Sequence, residues 1–173
     1  MIVGTPFLTT EQIQQRVSEL ADAISRDFIG KEILAIGILK GSFMFFADLI
    51  RSIRVPLIID FIIASSYLKT TSTGEVKIHY DIREDIADRN VLLIDDIIDT
   101  GISLNHIRER LLSKGPRSMK ICCLLDKKER RMVDVPVDYV GFKIPNKFFV
   151  GYGLDYDSKY RNLPYIAIFK KER

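Results

Sequence analysis

Four continuous apolar runs limit the folds open to this chain more than any other feature. The runs cover residues 33–39, 57–64, 91–94 and 119–125. Only Asp60 and Lys120 are charged within them, and such runs are typical of strands buried on both faces of a parallel sheet. The segments between them have helical periodicity. We therefore predict an α/β fold, with a mainly parallel twisted sheet flanked by helices, and further short strands at 137–141 and 165–169.

Three helices are predicted between these runs. The first begins at Thr9 or Thr10, where Gln12 is placed to complete a capping box, and it ends at Gly30. The second covers residues 43–53. The third begins at about Ser103 and ends at the Gly-Pro pair 115–116.

Size and composition favour a single domain that spans residues 1–173. Hydrophobic residues make up 47% of the chain, which is enough for a substantial core. The net charge of +3 requires neither a nucleic acid nor a membrane as partner, although it suits an anionic small molecule. We expect no signal peptide and no membrane span. The neighbouring residues Cys122 and Cys123 are predicted to be reduced thiols in a buried strand, which favours a cytoplasmic protein.

Polar clusters directly follow three of the predicted strands. They are Lys-Gly-Ser at 40–42, an acidic loop at 95–101 and Asp-Lys-Lys at 126–128. Because the carboxyl ends of parallel strands meet at one edge of a sheet, we expect these clusters to converge there on a ligand. A polar stretch at 65–77 is too long for a tight turn and is predicted to be disordered or a functional lid.

The acidic loop contains the residue types that indicate which kind of ligand binds. It presents the carboxylates Asp95, Asp96 and Asp99 at the point where a helix begins, and the start of a helix binds anions through its free N–H groups. Thr100 and Ser103 supply hydroxyl donors, and Gly101 allows a ligand to approach the backbone closely. The loop therefore predicts a site for a phosphorylated, polyhydroxylated, metal-bound ligand, such as a sugar phosphate. A receiver domain would place its acidic pair after the first strand, whereas here about three strands precede it.

The segment Val91–Leu104 closely resembles the signature with which type I phosphoribosyltransferases bind phosphoribosyl pyrophosphate: four hydrophobic residues, two acids, a short apolar spacer, then Asp-Thr-Gly. Further segments resemble the hypoxanthine-guanine branch of that family, in its short bacterial form. They are Ser-Ser-Tyr at 65–67, Ser-Thr-Gly at 72–74, Lys-Glu-Arg-Arg at 128–131, residues 141–156 and Tyr-Arg-Asn-Leu at 160–163.

The resemblance implies a type I phosphoribosyltransferase fold with a small hood subdomain formed largely by the carboxyl-terminal region. It implies transfer of the phosphoribosyl group to a 6-oxopurine, hypoxanthine or guanine, with Mg²⁺ as cofactor. It also implies a homodimer or homotetramer.

The resemblance also implies a role for each site residue. Asp99 would be the general acid/base at the purine N7, and Lys127 would donate to the purine O6. Phe148 would stack on the purine, which Phe149 would contact through its backbone and Leu154 would border. Asp95 and Asp96 would hold the ribose hydroxyls and, with Asp155, the magnesium. The further substrate-binding residues would be Lys40, Gly41, Ser66, Tyr67, Thr100, Gly101, Ser103, Leu104 and Arg161. A cis peptide is implied between Leu39 and Lys40.

Two alternatives stay open. A regulator that keeps this fold and binds RNA or DNA would suit the basic balance, with an isoelectric point near 8.8. A transferase for another base, such as xanthine or a pyrimidine, would keep the same signature. Turnover with hypoxanthine separates the first from the enzyme, and a comparison of acceptor bases identifies the second.

Overall fold

The computed structural model describes residues 2–67 and 75–170. Its helices are α1 (Thr10–Asp27), α2 (Phe43–Ser52) and α3 (Ile102–Leu112), with a 3-10 turn at Lys128–Arg130. Its strands are β1 (Ile2–Leu8), β2 (Ile33–Leu39), β3 (Leu57–Tyr67), β4 (Glu75–Tyr80), β5 (Asn90–Ile98), β6 (Ser118–Asp126), β7 (Tyr139–Lys143), β8 (Phe149–Val150) and β9 (Ile166–Lys170). No helix within the described residues is long and apolar enough to cross a membrane.

The main sheet has the strand order β4-β3-β2-β5-β6-β7, and its strands are parallel except for the antiparallel edge strand β4. Along β2, Ile33 and Ala35 face a core shared with α1 and α2. Leu34 and Ile36 face a second core shared with α3. The helices therefore cover both faces of the sheet, and the predicted fold class is confirmed.

A second sheet has the order β1-β9-β8, with both pairings antiparallel. It forms the hood together with the loops that follow β7 and β8. One of its strands, β1, comes from the amino terminus. The sequence did not predict this contribution.

Several local predictions can be compared with the structure directly. The capping box is confirmed, since the Gln12 N–H donates to Thr9 Oγ1 at 3.3 Å and the Thr9 N–H donates to Gln12 Oε1 at 2.9 Å. Helix α1 ends at Asp27, and Gly30 (φ 72°) lies in the turn that follows. The Leu39–Lys40 peptide is cis, as implied. Cys122 and Cys123 are free, buried thiols in β6, and burial raises the pKa of both.

Two predicted loops are partly strand. The polar stretch 65–77 begins within β3 and ends within β4, where Ser66 pairs with Val76 and Tyr67 with Glu75. Residues 68–74 and the side chains of Ser66 and Tyr67 lie outside the described part of the structure. Strand β5 continues to Ile98, so Asp95 and Asp96 lie in the strand itself. The strand is longer than predicted because β6 pairs with it as far as Ile98–Asp126.

Candidate active site

The carboxyl ends of β2 and β5 meet the hood at one edge of the sheet. This agrees with the prediction that the polar clusters after these strands converge at one edge. A Cβ atom added to Gly41 would lie 2.0 Å from Asp96 Oδ2. A Cβ added to Gly153 would lie 2.0 Å from the Gly41 carbonyl oxygen. Only glycine at these two positions allows the loop after β2 to lie between Asp96 and the hood. Lys40, which begins that loop, is exposed.

A first cavity, which we call the α3 cavity, lies where β5 passes into α3. Its volume is about 240 Å³. Its lining residues are Asp95, Ile97, Ile98, Asp99, Thr100, Gly101, Ile102, Ser103, Leu104 and Arg130. The site residues predicted from the acidic loop therefore share one cavity, with the exception of Asp96. The amino-terminal turn of α3 borders this cavity, so it offers backbone N–H groups to an anion.

Gly101 shapes the α3 cavity. Its φ is 84°, and an added Cβ would lie 2.3 Å from the Val133 carbonyl oxygen. The same segment fixes the turn by hydrogen bonds, because the N–H groups of Met132 and Val133 donate to the Thr100 carbonyl at 2.9 and 3.0 Å. The start of α3 is therefore held against residues 132–133.

We expect Gly101→Ala to destabilise the protein by about 2–4 kcal/mol, because strain from the positive φ adds to a clash with backbone atoms. Thermal unfolding measures the loss. Gly30→Ala is the matched control, since its φ is 72° but nothing lies within 4 Å of an added Cβ. Equal losses in the two variants would contradict the role given to the close contact with Val133.

Asp95 and Asp96 form a half-buried carboxylate pair. Burial and then the charge of Asp96 raise the pKa of Asp95 well above its ordinary value. Burial also raises the pKa of Asp96, against the opposing effects of hydrogen bonds with the Asp95 side chain and the backbone of residues 96–97 and, last, of the Arg161 charge. The pair gains stability from any cation or hydrogen-bond donor that a ligand brings, because these relieve the cost of ionisation.

This electrostatic cost predicts a pH dependence of stability. The folded state binds protons more tightly than the unfolded chain does, so the free energy of unfolding falls as the pH rises above about 4, until the pair has ionised. Asp95→Asn keeps the acceptor for the Asp96 N–H, which contacts Asp95 Oδ1 at 3.0 Å. We expect this variant to melt at least about 2 °C above the parent at pH 7 and to match it near pH 4. Asp134→Asn, an exposed control, should change neither value. A lower melting point for Asp95→Asn than for the parent at pH 7 would refute the idea that ionisation of the pair destabilises the folded protein.

A second cavity, the hood cavity, has a volume of about 250 Å³. Its lining residues are Asp96, Ile97, Asp99, Lys127, Arg130, Phe148, Phe149, Leu154 and Asp155. Seven residues predicted to serve the base or the magnesium are therefore brought together here, all of the lining residues except Ile97 and Arg130. The two cavities share Ile97, Asp99 and Arg130, so Asp99 lies at their junction.

The two carboxylate oxygens of Asp99 differ. Oδ2 lies 3.2 Å from Arg130 Nη1 and 3.6 Å from Lys127 Nζ. Oδ1 is buried and has no hydrogen-bond partner among residues 2–67 and 75–170. A buried polar atom without a partner is rare, and it leaves Asp99 with an unused hydrogen-bond acceptor. Lys127 itself is buried, with 6% of its surface exposed, and it lines the hood cavity with its ammonium beside Asp99.

The two aromatic residues of the hood cavity differ in exposure. Phe148 is 51% exposed, and its ring is supported edge-on by Tyr156 at 5.8 Å and Phe169 at 6.0 Å. Phe149 is buried and packs against Phe7 at 5.1 Å. Phe148 therefore offers an open aromatic surface, whereas Phe149 can meet a ligand chiefly through its backbone.

Arg161 and Asp155 form an ion pair of 2.8 Å in the hood. Arg161 also donates to the Gly153 carbonyl at 2.6 Å, and Asp155 Oδ2 accepts from the Ser158 N–H at 2.8 Å. Arg161 is thus fixed near the loop after β2, beside Gly41. Its predicted role as a pyrophosphate ligand stays a prediction.

Sequence reasoning missed two arginines of this site. Arg130 lines both cavities. Arg131 donates to the Asp99 carbonyl at 3.2 Å and to Asp126 Oδ1 at 2.5 Å, and so holds the end of β6 to the end of β5. Both lie in the run Lys-Glu-Arg-Arg, which carried the family resemblance but gave no sign of contact with Asp99.

The strand ends of this α/β sheet combine a helix-start anion cavity, an acidic pair and an adjoining aromatic cavity, which suits a ligand that carries both a phosphate and a flat ring. The phosphoribosyl transferase domain family matches residues 6–157, and the chain belongs to this family of transferases. The hypoxanthine phosphoribosyltransferase of Salmonella typhimurium is 49% identical over 159 residues, which cover 90% of this chain and 89% of that protein.

Two further relatives are similar over nearly the whole chain. The hypoxanthine-guanine phosphoribosyltransferase of Staphylococcus aureus is 49% identical over 167 residues, covering 96% of this chain and 93% of the relative. The crystal structure of a hypoxanthine-guanine phosphoribosyltransferase from Bacillus anthracis, with HEPES in its active site, superposes with a TM-score of 0.94. It is 49% identical and covers 98% of this chain and 100% of the relative.

Proposed function

We propose that the chain is a purine salvage enzyme that transfers the 5-phosphoribosyl group from phosphoribosyl pyrophosphate to hypoxanthine or guanine, giving IMP or GMP and pyrophosphate. The observation that carries the proposal is the junction of the two cavities at Asp99. A sugar phosphate at the start of α3 and a flat base against Phe148 would meet at this carboxylate. The identity to hypoxanthine and hypoxanthine-guanine phosphoribosyltransferases supports it.

In this mechanism Asp99 acts as the general base. As N9 of the purine bonds to C1′ of the ribose, pyrophosphate leaves with the electron pair of the C1′–O bond, and the base gives up its N7 proton. Asp99 accepts that proton on Oδ1, its unpartnered oxygen, which is buried and reaches the base when the carboxylate turns toward it. Oδ2 stays beside Arg130 and Lys127, whose charges stabilise the carboxylate before the transfer.

Lys127 selects a 6-oxopurine. Its buried ammonium donates to the purine O6, and an adenine would instead place its amino donors against the ammonium donor. Phe148 stacks on the purine, Phe149 reads it through backbone groups, and Leu154 borders it. Residue identity decides little between hypoxanthine and guanine, because that choice falls to backbone carbonyls near Phe149 and Asp155.

The sugar phosphate occupies the other half of the site. Thr100, Gly101, Ser103 and Leu104 surround the 5′-phosphate, and Asp95 and Asp96 hold the ribose hydroxyls. Lys40, Gly41 and Arg161 bind pyrophosphate, for which the forked donors of an arginine are suited. Ser66 and Tyr67 are the proposed substrate-binding residues of the predicted lid, which would exclude water from a transition state with oxocarbenium character.

Mg²⁺ is the proposed cofactor. Within the described residues no three His, Cys, Asp or Glu side chains form a metal cage. Mg²⁺ usually takes only one or two carboxylates and completes its shell with phosphates and water, so such a cage is not needed. The raised pKa values of Asp95 and Asp96 mark them as carboxylates that a cation would relieve. Asp155, which lines the hood cavity with Asp96 and forms an ion pair with Arg161, is the third proposed ligand. When bound, the ion neutralises and orients the pyrophosphate leaving group.

Steady-state turnover with phosphoribosyl pyrophosphate and Mg²⁺ tests the proposal, with hypoxanthine, guanine, xanthine, adenine and uracil as acceptors. We expect nucleotide from hypoxanthine or guanine and little from adenine. A preference for xanthine or uracil would move the assignment to another base. Absence of turnover with every base would favour the nucleic-acid-binding alternative.

We further propose a cytoplasmic homodimer or homotetramer. The β3–β4 end of the sheet leaves large apolar side chains uncovered on the α2 side, where Ile59 is 46% and Tyr80 37% exposed. Phe43 at the start of α2 is 39% exposed. A second copy of the chain that packs on this face would bury them. Light scattering on the eluting protein measures the mass directly, and a monomer would refute the assembly.

A further inference from the structure

The charge of the α3 cavity is unfavourable for the ligand that the proposed function gives it. Asp95 and Asp99 are its acidic lining residues, and Arg130 is its one cationic lining residue within the described part of the chain. A 5′-phosphate carries further negative charge into this cavity. Backbone N–H groups and hydroxyls at the start of α3 offset part of it, but they bring no full positive charge.

The backbone around Arg130 is fixed so that the side chain reaches the cavity. On one side the Lys127 N–H donates to the Ile98 carbonyl at 3.0 Å. On the other side Arg131 donates to the Asp99 carbonyl, and the Met132 N–H donates to the Thr100 carbonyl at 2.9 Å. Residues on both sides of Arg130 are therefore tied to the turn between β5 and α3, and Arg130 projects from the resulting 3-10 turn.

Among the described residues, the Arg130 guanidinium is held at one point, Asp99. Its Nη1 lies 3.2 Å from Asp99 Oδ2, while 47% of the side chain is exposed. A guanidinium has five N–H donors in a rigid fork, so one edge can stay on Asp99 while another contacts a phosphate. Its position along both cavities permits this arrangement without a change in the backbone.

We infer that Arg130 is a 5′-phosphate-binding residue that joins the phosphate of the sugar to Asp99. This inference rests on the proposed function and adds a specificity element to it. Arg130 supplies the positive charge that the α3 cavity otherwise lacks, and it makes affinity depend on the phosphorylated 5′ position. The same contact keeps Asp99 Oδ2 engaged when Lys127 turns to the purine O6, so that Oδ1 remains free to accept from the base.

The test compares IMP with inosine, which has the same base and ribose but no phosphate. Inhibition constants of both against phosphoribosyl pyrophosphate are measured for the parent protein and for Arg130→Met, Arg130→Lys and Lys128→Met. We expect Arg130→Met to weaken IMP about 10- to 100-fold, the range for hydrogen bonds to charged groups, and to change inosine little. Arg130→Lys should recover part of the loss. Lys128→Met removes a charge from the same 3-10 turn outside both cavities and should have no effect.

Two results would overturn the inference. One is unchanged IMP binding in Arg130→Met; the other is an equal loss for IMP and inosine, which would indicate a role limited to Asp99 or to folding. Melting points of all variants are compared, with Arg130→Gln as a second charge-removing variant if Arg130→Met is unstable. If the parent protein neither binds IMP nor converts hypoxanthine, the proposed function itself fails and the assignment of Arg130 falls with it.

Discussion

Asp99→Asn is expected to lower turnover by about 10²- to 10⁴-fold, the usual contribution of a positioned general base. The substitution keeps the shape of the side chain. Its amide oxygen can stay beside Arg130 and Lys127, which places the amide nitrogen where the unpartnered Oδ1 now lies. A group that only donates at that position cannot accept the N7 proton, so the chemical step is slowed while the cavities keep their form.

Separate measurements of binding and turnover distinguish this role from a structural one. Phosphoribosyl pyrophosphate affinity, measured by calorimetry with Mg²⁺, should stay close to that of the parent protein. Asp157→Asn makes the same change of charge in an exposed loop of the hood and should leave turnover unchanged. Full activity in Asp99→Asn would refute the assignment. A loss of phosphoribosyl pyrophosphate binding equal to the loss of turnover would point to a collapsed site.

The sheet could be predicted because its central strands are continuous apolar runs, and a run buried on both faces can be recognised locally. Strand β1 could not be recognised in this way. Its sequence contains Gly4, Thr5 and Pro6, and its pairing with β9 shifts register on both sides of Pro6. It becomes a strand through a partner more than 150 residues away, and no local pattern reports such a pairing.

Strand β4 was missed for a different reason. Its residues Glu75 to Tyr80 alternate between polar and apolar types with Val76 and Ile78 as the apolar positions, which is a signal for a half-buried strand. The preceding polar stretch hid this alternation, because residues 75–77 were included in the predicted lid. An edge strand with one face toward solvent carries fewer apolar residues than the central strands do.

The site residues that directly follow a strand could be predicted from the sequence. The site residues in the loop that folds back over the strand ends could not. Asp99 and Lys127 each follow a central strand, so the topology of a parallel sheet brings them together. Arg130 and Arg131 follow the same strand as Lys127, yet a run of basic residues is more often a solvated surface. Only the three-dimensional path of residues 127–133, which returns to the carbonyls of Ile98, Asp99 and Thr100, shows that these arginines belong to the site.

Lys127→Met is expected to weaken the binding of hypoxanthine about 10- to 100-fold, which corresponds to the loss of one hydrogen bond from a charged donor. Methionine fills most of the space of the buried lysine stem, so the change removes the ammonium without opening a large cavity. Phosphoribosyl pyrophosphate should bind nearly as before, because Lys127 lines the hood cavity and not the α3 cavity.

A base without the 6-oxo group separates this contact from general damage to the pocket. The parent protein should bind unsubstituted purine more weakly than hypoxanthine, whereas Lys127→Met should bind the two almost equally, since the donor that distinguishes them is gone. Lys128→Met removes the neighbouring exposed ammonium and should keep the full preference for hypoxanthine. If the preference survives in Lys127→Met, another group reads O6, and the basis proposed here for choosing a 6-oxopurine over adenine is wrong.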